Sequence, residues 1–272
     1  MIDKLVFKKD FSLVMGILNL TPDSFFDGNR YNTEVAAINR VGQMLDEGAD
    51  IIDMGAFSSR PGAALVSYDE ERRRLIPVLK AVKKHFPDVI ISVDTYRHQI
   101  AEEVVGEGAQ IINDISGGNL DTQMFKTVAK LQVPYIMMHM KGTPENMQNQ
   151  TDYTDVVKDI KAFFRLKIKQ LNDLGFDKII LDPGFGFGKT LEQNYEILNR
   201  LDEFQDLNYP VLVGMSRKSM LYKLLDITPD KALNATSVVN TIALLKDAKI
   251  LRVHDVKQAV EAVKIVAKLK GG

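Results

Sequence analysis

Residues able to do chemistry recur along the sequence, most of them at the end of a short aliphatic run. Asp94, Asn113 and Asp182 offer carboxylate and amide groups that can bond the N–H groups of a flat heterocycle. A second set of amide, cationic and imidazole side chains suits phosphates or a carboxylate; it consists of Asn19, Arg60, Arg217, Lys218, Arg252 and His254. The two sets together predict a ligand with a polar ring at one end and an anionic tail at the other.

A plainer interpretation of these positions exists. The positions that end the aliphatic runs are Asn19, Asp53, Asp94, Asn113, His139, Asp182, Ser216 to Lys218, and Arg252 to His254. Asn, Asp and Ser are common where strands pass into loops, because they form Asx turns and helix N-caps. These local roles explain any single position about as well as ligand binding does. They do not explain why carboxylates and amides fill one set while cations and imidazoles fill the other.

The segment from Pro183 to Thr190 nearly matches a nucleotide-binding P-loop. The first glycine of that motif would have to be residue 183, which is proline, and glycines at 184, 186 and 188 do not fit a dinucleotide-binding loop either. We expect instead a backbone that approaches a flat ligand closely, at Gly186 and its neighbours. Phe185 and Phe187 are either stacking surfaces for that ligand or core residues.

The segment from Val213 to Ser219 opens a helix and carries two adjacent cations. Backbone amides at a helix start, hydroxyls and cations make an anion site. Lys218 could instead form a Schiff base, as in an aldolase. Among the other histidines, His85 and His98 are expected at the surface, and His139 in structural packing.

Composition excludes several kinds of chemistry. The 272 residues contain no cysteine and four histidines, which rules out disulfides, thiolate nucleophiles, iron–sulfur clusters and cysteine-ligated zinc. A metal is then expected to be a hard cation held by oxygen, such as Mg²⁺. The net charge of −1 predicts no general affinity for nucleic acid or an anionic membrane. The N-terminal residues lack the pattern of a signal peptide, and no apolar stretch reaches about 18 residues, so a cytoplasmic location is expected.

Eight aliphatic runs alternate with helical patterns and predict a (β/α)₈ TIM barrel, an α/β fold, in a single domain over residues 1–272. The runs cover residues 14–19, 51–53, 89–94, 111–113, 135–139, 179–182, 211–216 and 250–254. Continuous apolar runs are typical of buried parallel strands, and helical periodicity is clearest between Asp152 and Leu174. An open doubly wound sheet is the alternative, but it would gather its chemistry at one switch point. In a barrel the strand ends meet at one mouth, where the active site lies.

Eight short motifs occur in order between about residue 14 and residue 256. They are 19–25 (NLTPDSF), 53–62 (DMGAFSSRPG), 92–95 (SVDT), 112–115 (INDI), 138–140 (MHM), 181–189 (LDPGFGFGK), 214–219 (GMSRKS) and 252–255 (RVHD). Each is weak by itself, but the ordered set resembles the dihydropteroate synthase family of folate biosynthesis. That resemblance implies a (β/α)₈ barrel, usually a homodimer, that joins p-aminobenzoate to 6-hydroxymethyl-7,8-dihydropterin diphosphate, with Mg²⁺, and releases diphosphate.

The resemblance also implies a role for each matching residue. The pterin ring would be bound by Asp94, Asn113, Asp182, Lys218, Phe185 and Gly186. The diphosphate would be bound by Asn19, Arg60, Arg252 and His254, and Asn19 would also lie near the Mg²⁺. p-Aminobenzoate would be bound by Phe25, Ser59, Pro61, Phe187, Arg217 and Ser219. The catalytic residues would be Asp94, Asp182, Lys218, Arg252 and His254.

The second loop departs from the commoner family pattern Gly-Glu-Ser-Thr-Arg-Pro-Gly. Phe57 and Ser59 stand where that pattern has Glu and Thr, which affects the expected loop contacts and sulfonamide discrimination more than the activity. Three alternatives remain: a pterin-binding methyltransferase barrel that passes a methyl group to a corrinoid, an aldolase using Lys218, and a non-catalytic pterin-binding protein. The anion-binding residues after the seventh and eighth runs favour the synthase over the first and the third.

Overall fold

The computed structural model describes residues 2–8, 11–20, 30–57 and 66–271. Eight parallel strands form one sheet, and at least one helix follows each strand. The strands are β1 (Leu13–Asn19), β2 (Ile51–Gly55), β3 (Ile91–Asp94), β4 (Ile111–Asp114), β5 (Tyr135–Met138), β6 (Ile179–Asp182), β7 (Leu212–Val213) and β8 (Ile250–Val253). The (β/α)₈ barrel predicted from the sequence is thereby confirmed.

The ring of strands closes between β6 and β7. The strands are hydrogen-bonded in the order β6-β5-β4-β3-β2-β1-β8-β7, and a parallel bridge joins Leu181 to Val211. An open doubly wound sheet would leave both ends unpaired, so the closure decides against that alternative. β7 is shorter than the predicted run 211–216, since Val211 forms only an isolated bridge and the chain turns at Ser216 and Arg217.

The helices are α1 (Ile2–Lys8), α2 (Arg30–Asp46), α3 (Tyr68–His85), α4 (His98–Gly106), α5 (Met124–Leu131), α6 (Val156–Asp173), α7 (Leu191–Asn199), α8 (Ser219–Tyr222), α9 (Leu233–Leu245) and α10 (Val256–Leu269). Capping side chains stand at the start of three of them, and the first is Ser67, which accepts from the Glu70 amide before α3. Asp155 accepts from the Lys158 amide at 3.0 Å, so α6 begins at Val156 rather than near Asp152. Thr190 and Gln193 form a capping box at the start of α7.

The barrel interior changes from apolar at one end to polar at the other, because inward-facing residues two apart on the same strands differ in polarity. Five strands place an isoleucine in a buried cluster at one end of the barrel: Ile136 in β5 and, in the other four strands, Ile51, Ile111, Ile180 and Ile250. Two residues after the last four isoleucines come, in that order, Asp53, Asn113, Asp182 and Arg252. Side chains two residues apart face the same side of a strand, so a register that buries the isoleucines also sends the polar groups to the opposite mouth.

Helix α1, which was not predicted from the sequence, closes the apolar end. Val6 is fully buried in the isoleucine cluster, and Leu5 and Phe7 pack against the same cluster. In the part of the chain that the structure describes, no helix has the length and apolarity needed to cross a membrane.

Candidate active site

The polar strand ends come together at the mouth opposite α1. Parallel pairing places Asp94 of β3 directly beside Asn113 of β4, and Met138 of β5 beside Asp182 of β6. Arg252 of β8 reaches the carboxylate of Asp94 across the interior, at 3.4 Å. Residues far apart in the sequence therefore share one pocket, as the barrel prediction requires.

A buried network inside the mouth links Asp53 to Arg252. Asp53 Oδ2 accepts from Arg252 Nε at 2.7 Å and from Asn113 Nδ2 at 3.2 Å, and its Oδ1 accepts from Ser92 Oγ at 2.6 Å. Asp53 has no solvent exposure, so the guanidinium and these donors replace water around its charge. The sequence placed Asp53 at a strand end without indicating a role; the structure makes it the anchor of Arg252 and Asn113.

Asp94 and Asp182 are buried carboxylates at the mouth, and both were predicted to hold a ligand. Burial raises the pKa of Asp94 well above its ordinary value, against the opposing effect of Arg252. Burial also raises the pKa of Asp182, opposed mainly by Lys218. Among the described residues Asp94 Oδ1 is buried without a hydrogen-bond partner. Such an oxygen costs free energy unless something donates to it, which marks a place for an N–H group of a ligand.

Lys218 lies over the glycine-rich segment that follows β6. Its Nζ donates to the Phe185 carbonyl at 2.5 Å and lies 4.6 Å from the centre of the Phe187 ring. Burial lowers the pKa of Lys218 to about 8, and Asp182 opposes that change. A Cβ at Gly186 would lie 3.3 Å from Lys218 Cδ, so a glycine gives the lysine room to cross the loop.

The two aromatic residues of this segment have different environments. Phe185 is fully buried in the main core, so its carbonyl, not its ring, faces Lys218. Phe187 belongs to a separate apolar cluster at the mouth, with Phe57, Tyr96 and Met138. A stacking role is therefore compatible with Phe187, whereas the Phe185 ring serves the core.

His254 enters the site as a neutral group. Its Nδ1 lies 3.0 Å from Ser216 Oγ, and its backbone amide donates to the same oxygen at 3.2 Å. Burial, together with the nearby Arg252 charge, lowers its pKa to about 4. At neutral pH it can bond an anion as an N–H donor, and the permanent charge beside it comes from Arg252.

Arg217 is engaged with groups outside the strand ends. Its guanidinium forms two hydrogen bonds with Asp255, at 2.8 and 2.9 Å, and donates to the Pro229 and Asp230 carbonyls. A carboxylate ligand at Arg217 would have to compete with Asp255, which sequence spacing could not reveal. Ser219 is the first residue of α8, beside Lys218.

Two buried groups of the mouth were not assigned to the site from the sequence. Lys189 is 5% exposed, and its Nζ lies 3.2 Å from His139 Nδ1. Burial lowers the pKa of Lys189 to about 7 and holds that of His139 well below its ordinary value. His139 packs edge-on against Phe163, with ring centres 5.0 Å apart, in line with the structural role expected for it.

Several predicted site residues lie outside the described residues: Phe25, Ser59, Arg60 and Pro61. Asn19, the predicted metal neighbour, is the last residue of β1 and pairs with Gly55 of β2. Among the residues that the structure describes, no three His, Cys, Asp or Glu side chains cluster so as to hold a metal ion.

Comparison with known proteins agrees with this arrangement. The family model described as "Pterin binding enzyme" matches residues 15–254. The chain is 45% identical over 255 residues to the dihydropteroate synthase of Escherichia coli (strain K12), covering 93% of this chain and 90% of that protein. A Yersinia pestis dihydropteroate synthase solved with a sulfonamide drug is 43% identical, with a TM-score of 0.90 and coverage of 96% and 95%. A Xanthomonas albilineans dihydropteroate synthase with 4-aminobenzoic acid is 35% identical, with a TM-score of 0.89 and coverage of 97% and 94%. The chain therefore belongs to the pterin-binding enzyme family and, within it, to the dihydropteroate synthases.

Proposed function

We propose that the chain joins p-aminobenzoate to 6-hydroxymethyl-7,8-dihydropterin diphosphate and releases diphosphate. One observation carries the proposal: the buried carboxylate of Asp94, with an oxygen left for a donor, contacts the same Arg252 that lies beside His254. A region suited to a ring rich in N–H groups thus adjoins a region suited to an anionic leaving group. The names of the relatives, and the 4-aminobenzoic acid bound in one of them, support the same reaction.

In this reaction the bond between the pterin methylene carbon and a diphosphate oxygen breaks, and its electron pair goes to the oxygen. The methylene carbon becomes cationic and is stabilised by the electron-rich ring, while Asp94 and Asp182 favour that charge electrostatically. The aniline nitrogen of p-aminobenzoate then forms the new C–N bond and loses a proton to solvent. No protein nucleophile takes part, in agreement with the absence of cysteine.

The leaving diphosphate would be bound by Arg252 and by the N–H group of His254. A Mg²⁺ ion would be held by the side-chain oxygen of Asn19 together with water and the diphosphate, because Mg²⁺ commonly takes only one or two protein ligands. When bound, the ion would neutralise charge on the diphosphate. Activity should be lost with EDTA and restored by added Mg²⁺; turnover unchanged by EDTA would remove the ion from the proposal.

Diphosphate release with both substrates and Mg²⁺, compared with release when p-aminobenzoate is omitted, tests the reaction. Removing one preorganised electrostatic group costs about 2.7–4 kcal/mol in the transition state, so Asp182→Asn should lower kcat by about 100-fold or more. Asp177→Asn is the matched control, since Asp177 is exposed and lies just before the start of β6, at the end away from Asp182. A kcat for Asp182→Asn within about threefold of the unaltered enzyme would contradict this role. Diphosphate release that does not depend on p-aminobenzoate would contradict the reaction itself.

We also infer that two chains associate through α9 and α10, which pack side by side. Val238, Ile242 and Leu245 recur on one exposed face of α9 at helical spacing. On α10, Ile265 is 68% and Leu269 72% exposed, and apolar area of this kind is typical of subunit interfaces. Light scattering should give the mass of a dimer for the unaltered chain and of a monomer for Ile265→Glu. Leu166→Glu, on the exposed face of α6, is the control that should leave the mass unchanged; a monomeric unaltered chain would contradict the inference.

A further inference from the structure

Lys189 is a buried lysine that the proposed reaction does not use. It directly follows the glycine loop, which we define as residues 183–188. Its Nζ donates to the carbonyl oxygens of Gly184 and Phe187 at 2.8 and 2.9 Å. The same nitrogen lies 3.2 Å from His139 Nδ1 and 3.4 Å from the His139 carbonyl oxygen, directly after β5. One amino group therefore ties two points of the glycine loop to the end of the neighbouring strand.

The glycine loop lies between two residues expected to hold the pterin ring. Near its start, the Gly184 amide donates to Asp182 Oδ1 at 2.8 Å. Further along, the Phe185 carbonyl accepts from Lys218 and the Phe187 ring lies beneath the same ammonium. The conformation of the loop thus sets where Lys218 lies and which way the Phe187 ring faces.

The conformation of the glycine loop costs free energy in two ways, and a hydrogen-bond donor can offset both. Three carbonyl oxygens, those of Gly184, Phe187 and His139, lie near one point, where their partial negative charges repel one another unless a donor stands between them. The glycines at 184, 186 and 188 all have positive φ, so a very free segment is fixed when the chain folds. A side chain that donates to several carbonyls at once compensates for both.

We propose that Lys189 is a positioning residue, whose amino group holds the glycine loop so that the Phe185 carbonyl and the Phe187 ring are correctly placed for Lys218 and the aromatic substrate. This role rests on the proposed function, since it concerns the same reaction. Lys189 acts through the loop and does not contact substrate, because the loop and the end of β5 surround its amino group.

Steady-state kinetics of Lys189→Met and Lys189→Gln test the role. Methionine keeps the chain length without a donor, and misplacement of a substrate-binding group by about 1 Å can cost up to about 100-fold, so we expect KM for p-aminobenzoate to rise about tenfold or more. Glutamine keeps two N–H donors and should restore part of that loss. Lys161→Met is the matched control: Lys161 is also buried but pairs with Asp206 on the outside of the barrel, at 2.8 Å, and its KM should not change.

Hydrogen exchange provides a readout that does not depend on turnover. The amides of Gly184, Gly186 and Phe187 are hydrogen-bonded in the loop, and in Lys189→Met they should exchange faster while β1 to β5 stay protected. If both Lys189 variants lose only kcat, with unchanged KM and unchanged loop exchange, Lys189 is merely structural and the proposal is wrong. The proposal is also wrong if neither variant folds. If the unaltered enzyme releases no diphosphate but the loop exchanges faster in Lys189→Met, the proposed function fails while the holding of the loop stands.

Discussion

Arg252 is the residue at which the two predicted sets of site residues meet. Its cationic side chain suits the anionic tail, yet it donates to Asp53 and lies 3.4 Å from Asp94, which belongs to the ring side. The sequence could place all three at strand ends, because an aliphatic run followed by a polar residue is a local pattern. The pairing of Arg252 with Asp53 crosses 199 residues and depends on which strands lie together, so no local pattern carries it.

Asp53→Asn should weaken both the fold and substrate binding. The new amide carries no charge, so Arg252 loses its buried carboxylate partner, and losing one partner of a buried ion pair costs about 3–5 kcal/mol. We expect urea unfolding to show a loss of this order, and kinetics to show a higher KM for the pterin diphosphate. Ser92→Ala removes one hydrogen bond and keeps the ion pair, so it should cost only about 1 kcal/mol. Equal losses in the two variants would contradict the anchoring role of Asp53.

The His254 imidazole should destabilise the fold as the pH falls. Its pKa is about 4 in the folded chain, lowered from 6.5 by burial and by Arg252. Between these values the unfolded chain binds a proton that the folded chain does not, so the free energy of unfolding decreases as the pH falls from 6.5 toward 4. Urea unfolding of His254→Gln should lose less stability over this window than the unaltered chain. His139 is present in both proteins, so its titration cancels, and parallel stability curves would refute the assignment.

At the scale of elements, the glycine loop requires glycine at position 184 for two reasons, its backbone conformation and its close approach to the residue after β5. Gly184 has a φ of 72°, and a Cβ there would collide with the His139 carbonyl oxygen. Gly175, after α6, has the same φ of 72° but no atom within 4 Å of such a Cβ. Alanine substitutions at Gly175 and Gly184 therefore distinguish the free-energy cost of a left-handed backbone conformation from that of a steric clash.

Gly175→Ala should lower the free energy of unfolding by about 1–2 kcal/mol, the cost of a left-handed conformation for a residue with a Cβ. Gly184→Ala should lose clearly more, and its kcat/KM should fall because the loop must move away from β5. Thermal unfolding and steady-state kinetics of both variants check this. If the two alanine variants are equally stable and equally active, the close approach of the loop to β5 is not required.

Elements with a strong internal period were predicted well, and short or context-dependent ones were not. The apolar stripe of α6 was visible, and only its first residues differ, because Asp155 caps the helix. β7 is a two-residue strand, because Val211 before it forms only an isolated bridge and a turn follows at Ser216 and Arg217. Helix α1 has seven residues, and the barrel floor against which it packs is made of residues from strands spread along the whole chain, so its role could not be read locally.

At the scale of the whole molecule, the interior of the barrel is apolar at one end and polar at the other. The floor is apolar and covered by α1, whereas the mouth holds the carboxylates and cations. The sequence predicted that the polar strand ends meet at one mouth, but it did not indicate the apolar cluster under α1. The single domain and the cytoplasmic location stay predictions, as do the ligand roles of the individual mouth residues.

Val6→Ala should therefore lower stability without changing KM for either substrate. Val6 is fully buried in the floor, and deleting buried methyl groups costs about 1–3 kcal/mol. Val35→Ala makes the same change on α2, where the valine is 39% exposed, and should stay within about 0.5 kcal/mol. Thermal unfolding and kinetics measure both quantities. A changed KM in Val6→Ala would mean that the floor and the mouth are coupled.

The closure of the barrel at Leu181 and Val211 gives the mouth a preferred way to widen. Seven neighbouring strand pairs are joined by ladders, whereas β6 and β7 meet through one isolated bridge and the bond from the Leu181 amide to the Pro210 carbonyl. Because few backbone hydrogen bonds join β6 to β7, we expect neighbouring strands to separate there first. Asp182 is the last residue of β6, and the segment after β7 leads to Lys218. Such a separation would increase the distance between Asp182 and Lys218 and so widen the mouth between these two residues.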